Sequence, residues 1–167
     1  MAATYTPIAT TTGTGSATSI TFSSIPSTYT DLILVFNEGP ASGGGDRLLA
    51  WVNGDNSGTN YSATSLVGNG SAASSARTNN YAKWYLDFGA MTQPSDNNNT
   101  YIIHFQNYAN TTTYKTILGR FNMASAFVST IVGLWRSTSA INSITISGNT
   151  SNISTSSTFT LYGILSA

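Results

Sequence analysis

Short runs of β-branched and aromatic residues, each closed off by Gly, Asn, Ser or Pro, recur from one end of this chain to the other. No stretch shows the apolar spacing of an amphipathic helix, so the pattern restricts the chain to an all-β architecture. The runs predict strands over Thr4–Ala9, Thr18–Ser23, Asp31–Asn37, Arg47–Asn53, Tyr81–Phe88, Thr100–Tyr108, Tyr114–Met123, Val128–Trp135, Ile141–Ser147 and Thr158–Ile164. About ten strands suit an antiparallel two-sheet β-sandwich, jelly-roll-like in form. A chain of 167 residues buries enough surface for one full core without disulfides. Residues 1–15 form an N-terminal arm or first strand, and residues 16–167 a single sandwich domain.

Alternation assigns faces within several runs. In TYIIHFQNY, Tyr101, Ile103 and Phe105 share the face expected to enter the core, opposite Ile102, His104, Gln106 and Tyr108. INSITIS and STFTLYGI each show one apolar and one wet side, as strands of an antiparallel sandwich do. LILVF, residues 32–36, is apolar throughout and is expected to be buried on both sides. The segments GPASGGGD, NGDNSGTN, GNGSAASSARTNN and TQPSDNNN read as loops from their Gly, Asn, Asp and Pro content.

Only 7% of the residues are charged, against roughly 25% in ordinary soluble proteins, and the formal net charge is zero. Hydrophobic residues reach 40%, so the chain folds despite its polar tracts. A neutral surface rich in hydroxyls and amides lacks colloidal repulsion and suits packing against other subunits. Six scattered basic residues form no stripe, which argues against nucleic-acid binding. No run of apolar residues is long enough for a membrane-spanning helix, so no membrane insertion is expected. The N-terminus lacks a signal-peptide pattern.

With no cysteine, thiolate metal sites and cysteine nucleophiles are excluded. The single histidine, His104, lies mid-strand and no G-x-S-x-G elbow offers it a nucleophile, so it reads as structural or solvated. Asp87, between Leu86 and Phe88, is the one acid away from turns and strand ends, and it reads as the outward residue of its strand. The loop after Trp51 places Asn53, Asp55, Ser57 and Gly58 at calcium-loop spacing, but Thr64 stands where the bidentate glutamate belongs, so a turn is expected. No cofactor, metal or catalytic residue is expected.

Carbohydrate binding is the rival reading. Aromatic platforms with Asn and Asp on sandwich loops hold sugars by stacking and amide hydrogen bonds, and Trp51, Trp84, Trp135, Tyr61 and Tyr81 supply rings, although tryptophans within strands fill cores. Trp51, Asp55, Tyr61, Tyr81 and Asn110 form the candidate set for contact with a glycan or a neighbouring subunit. In NYANTTTYKTILGR, residues 107–120, the ANTTT segment reads as a tight turn between strands, with Asn110 taking its special backbone angles.

The phrases YTPIATTTGTGSATSITFSSIPSTYTDLILVFN, NGDNSGTNYS, NYANTTTYKTILGR, GLWRSTSAINSITI and STFTLYGI, in this order, resemble a family of virion structural proteins of tailed bacteriophages, especially marine and cyanobacterial ones. The resemblance implies a jelly-roll-like module on the virion surface, without catalytic residues, made in the host cytoplasm and released by lysis. It implies other virion proteins, major capsid or tail proteins, as partners. Because the module phrases reach both ends and leave nothing to build a shaft, a capsid decoration or head-associated protein is expected over a tail-tip or fibre component that binds host-surface polysaccharide. A homo-oligomer, in the simplest case a trimer at a capsid threefold, is the matching assembly, with the segment before Ser16 available to touch a neighbour.

Overall fold

Alternating strands must hide one face, and here they do so by stacking a large sheet on a small one. The computed structural model describes residues 4–38, 47–86, 99–123 and 126–165. Its strands are β1 Tyr5–Thr12, β2 Ser19–Phe22, β3 Asp31–Glu38, β4 Leu48–Val52, β5 Tyr61–Gly68, β6 Ala73–Tyr81, β7 Trp84–Tyr85, β8 Asn99–Gln106, β9 Lys115–Met123, β10 Phe127–Trp135, β11 Ile144–Gly148 and β12 Thr158–Ile164. The eight-stranded sheet runs β1-β12-β3-β8-β9-β10-β5-β6 and the four-stranded sheet β2-β11-β4-β7, with every pairing antiparallel.

Setting β5, β6, β9 and β10 aside, the remaining eight strands pair in a nested series: β1 with β12, β2 with β11, β3 with β8, β4 with β7. That is one long hairpin rolled across two sheets, the jelly-roll arrangement. Two further hairpins, β5–β6 and β9–β10, are inserted into it. They join along β10 and β5, and together they widen one sheet only.

Inside, one cross-strand row carries four aromatic rings. Phe159, Phe36, Tyr101 and Phe121 stand opposite one another on β12, β3, β8 and β9. Successive ring centroids lie 4.8, 4.5 and 5.3 Å apart, and each pair is stacked. Such pairs add about 0.5–1.5 kcal/mol each beyond the area they bury. The small sheet is fastened to the inserted strands by Trp84, which is fully buried and donates from Nε1 to the Leu134 carbonyl at 3.3 Å. Gly133 makes room for it, since a Cβ there would fall 2.6 Å from that nitrogen and from Ile117 Cγ1.

The N-terminal segment contains β1, an edge strand with Pro7 and a register shift between Pro7 and Ala9. The opposite edge, β6, is regular over most of its length. The strand inventory differs from expectation in the middle of the chain. GNGSAASSARTNN, expected as a loop, is a turn followed by β6: Asn69 Oδ1 accepts from the Ser71 and Ala72 amides, Gly70 has φ +85°, and the chain returns along β5. Serines and alanines conceal β6 because it is an edge strand with little to bury. Tyr81 ends β6 instead of opening the next strand, β7 is only Trp84–Tyr85, and Asp87 and Phe88 lie outside the described residues. Ile141 precedes β11 but is buried all the same. The wet side expected of INSITIS is closed, because Thr145 and Ser147 are buried in a middle strand and bond to Thr21 Oγ1 and the Thr18 carbonyl.

LILVF is not covered on both sides. Leu32, Leu34 and Phe36 are buried, whereas Ile33 and Val35 on the opposite face stay partly exposed because, among the described residues, no second layer covers that side of the sheet. Truncating the two faces should therefore differ in cost. In urea unfolding, Phe36→Ala is expected to lose about 3–5 kcal/mol and Val35→Ala under about 1.5 kcal/mol. Equal losses would show the outward row to be as tightly packed as the inner one.

Candidate interaction face

The outer face of the eight-stranded sheet follows directly from the register. One row of outward side chains reads Pro7, Tyr162, Ile33, His104, Leu118, Val132, Thr64 and Arg77 from edge to edge. The next reads Thr10, Thr160, Val35, Ile102, Arg120, Thr130, Leu66 and Ser75. Together these rows make a belt rich in apolar groups. On one side lies a mixed row with Tyr5, Ile164, Asp31, Gln106, Thr116 and Leu134, on the other a mainly polar row with Thr158, Asn37, Thr100, Asn122 and Val128.

Leu118 is 46% exposed, Val132 55% and Leu66 58%. Scattered exposed hydrophobics are ordinary, but apolar side chains gathered on one face of a sheet have the composition of an interaction surface. Eight strands at ~4.8 Å spacing and four side-chain rows at ~6.8 Å give a face of roughly 1,000 Å², close to the ~800 Å² per partner of a stable interface. The belt is furrowed. A trough of ≈ 430 Å³ is lined by Tyr5, Ile33, Val35, Ile102, His104, Leu118, Gly119, Arg120 and Thr130. Two more, of ≈ 390 and ≈ 400 Å³, continue it past Val128 towards Leu66 and Ala73.

The charged groups on this face are differently placed. His104 Nε2 lies 2.9 Å from Asp31 Oδ2, and Asp31 Oδ1 accepts the Asn107 amide at 2.6 Å, so the carboxylate ties the end of β8 to the start of β3. Asn107, at φ 47°, holds the left-handed backbone that this turn requires. Arg120 stands in the middle of the belt between Ile102 and Thr130.

The five candidate contact residues have separate fates. Tyr61 is a correction: it is 1% exposed, donates its hydroxyl to the Asp55 carbonyl at 2.8 Å, and packs edge-on to Trp84, so its ring is core and offers nothing to a ligand. Asp55 Oδ2 accepts Trp135 Nε1 at 2.7 Å and Asn60 Nδ2 at 2.9 Å, so this oxygen braces its own turn. Asn53 likewise bonds inward, to the Ala140 carbonyl and the Asn142 and Ser143 amides. Among the described residues no group of three or more His, Cys, Asp or Glu side chains could hold a metal ion.

Trp51 lies half-buried on the outer side of the small sheet with Lys83 Nζ 4.6 Å from its ring centre. Tyr81 is exposed and meets Tyr85 edge-on at 5.4 Å. Asn110 organises the β8–β9 connection: its Oδ1 accepts the Thr112 and Thr113 amides at 2.6 and 2.9 Å and both hydroxyls as well. It serves the turn.

No protein-family model matches this chain, and no curated protein matches it at a significant level.

Burial raises the phenol pKa of Tyr61 well above the usual 10.0, and burial raises that of Tyr108 too, opposed in part by a backbone hydrogen bond. The folded pKa being the higher, this contribution to stability is complete below pH ~10 and falls as pH climbs beyond it, since the unfolded chain releases these protons first. Ultraviolet titration should show Tyr61 and Tyr108 ionising only as the protein unfolds, with one late group fewer in Tyr61→Phe. Ionisation of all nine tyrosines in a still-folded chain would contradict the burial of these two.

Proposed function

We propose that this chain is a non-enzymatic virion structural protein of a tailed bacteriophage, a capsid decoration or head-associated surface protein that packs against other virion subunits through the outer face of its eight-stranded sheet. The observation that carries the packing role is the cluster of Ile33, Val35, Ile102, Leu118, Val132 and Leu66 on the outer face of one sheet, furrowed by troughs. The phage setting is supported by the resemblance of the ordered phrases, and a subunit role by a surface with few charges and no net charge. Under this reading the protein is assembled in the host cytoplasm and ends on the virion surface. Self-association, a trimer included, belongs to the same proposal and is read by light scattering on the purified chain.

A second reading keeps one specific observation. Exposed Tyr81, with Tyr85 against it, offers an aromatic group of the kind that stacks on sugar rings, as a tail-tip or fibre component binding host-surface glycan would need.

Immunogold labelling of purified particles separates the two. Head labelling is expected, and it should be lost when particles are assembled with Leu118→Asp or Val132→Asp protein, variants that alter exposed positions and spare the core. Tail labelling, with binding to host lipopolysaccharide abolished by Tyr81→Ala, would replace the first reading with the second.

A further inference from the structure

A partner seated on the belt must also answer the charge in its middle. Arg120 stands beside Ile102 and Thr130 and helps to line two of the three troughs. Among the described residues its guanidinium has no ion pair or hydrogen bond. The face's anion, Asp31, is already engaged by His104 and the Asn107 amide. Arg77, at the end of the belt on β6, adds a second positive charge of the same sign.

Covering this surface desolvates Arg120. An uncompensated buried charge costs several kcal/mol, whereas a carboxylate meeting the guanidinium in two parallel hydrogen bonds offsets that cost and fixes the partner's orientation. A second copy laid face to face does not supply such a group. In a face-to-face pairing whose two-fold axis runs along the strands through the middle of the sheet, one Arg120 comes close to the other, because it sits on β9. Like charges set against each other in a drying interface are unfavourable by several kcal/mol.

We propose that the belt takes a different protein, one that lays an apolar strand or loop over Ile33, Ile102, Leu118 and Val132 and places an aspartate or glutamate against Arg120. This rests on the packing role proposed above and gives that role a partner chemistry: apolar and acidic, with Arg120 as the anchor. Arginine amid apolar side chains is a typical composition for the few residues that dominate binding energy.

The test uses a displayed library of random peptides, selected on the full-length protein after depletion on Leu118→Asp. Enriched peptides are expected to carry an acid within an apolar run. The tightest of them should lose about tenfold or more in affinity for Arg120→Gln and regain it when Arg120→Glu protein meets the same peptide with its acid changed to arginine. Peptides that need Leu118 but carry no acid, or ignore Arg120→Gln, overturn the acidic partner and leave the packing face standing. No enrichment over an unselected control, or equal binding to Leu118→Asp and Val132→Asp, brings down the packing face itself. A wild-type dimer in light scattering that Leu118→Asp abolishes makes the second copy the occupant and overturns the proposal.

Discussion

The stacked row Phe159, Phe36, Tyr101 and Phe121 is what the large sheet depends on. Four strands distant in sequence must bring their rings to the same level, and a slip of one residue in any of them would turn that strand's rings outward. The row therefore fixes the register of β12, β3, β8 and β9 together. It sets the outer face by the same act, because each ring has its neighbours one residue away pointing to the other side. Ile33 and Val35, or Ile102 and His104, are where they are because Phe36 and Tyr101 are where they are.

The unequal size of the sheets follows from the two inserted hairpins. The eight strands of the nested series divide evenly, four to a sheet, and the insertions go to one side only. They add Leu118, Val132 and Leu66 to a face that would otherwise end at β8. Without them Arg120 would not exist on it and the belt would be half as wide. The inserted strands also meet the small sheet directly, through Trp84 at Gly133, so the widened sheet is held by the sandwich core rather than hanging from it.

The strands dense in large apolar residues were legible in the sequence, whereas β5, YSATSLVG, was missed although largely buried, because most of its buried positions are Ser and Ala. The runs at Asp31–Asn37, Thr100–Tyr108 and Val128–Trp135 are dense in β-branched and aromatic residues, and alternation within TYIIHF named the inward side chains. β6 was illegible for the converse reason: ASSARTNNY lies at an edge, buries mainly Thr78, and has no apolar alternation to show. The outer belt was visible only as an anomaly. LILVF is apolar at every position, a pattern shared by a strand covered on both sides and a strand with one uncovered apolar side. A single run cannot distinguish these, because the answer depends on which strands become its neighbours. Lys115 was hidden for a similar reason. It looks like a solvated charge, yet it is buried with Nζ donating to the Thr113 and Thr138 carbonyls at 2.8 and 3.1 Å, and burial lowers its pKa. The loops it joins are separate in the sequence.

The two edges of the large sheet differ in a way that bears on growth. β1 carries Pro7, which has no amide hydrogen, and a break in register beside it, so another strand finds no regular ladder there. β6 is nine residues long, has no proline, and bears Arg77 as its single charge. A strand added from another chain meets a regular stretch there from Ala73 to Thr78, before the register shift at Asn80. Two copies joined β6 to β6 would each present β1 at the outer margin, where addition stops. Pro7 thus closes one margin of the sheet to ladder growth in a protein whose zero net charge offers no long-range repulsion between copies.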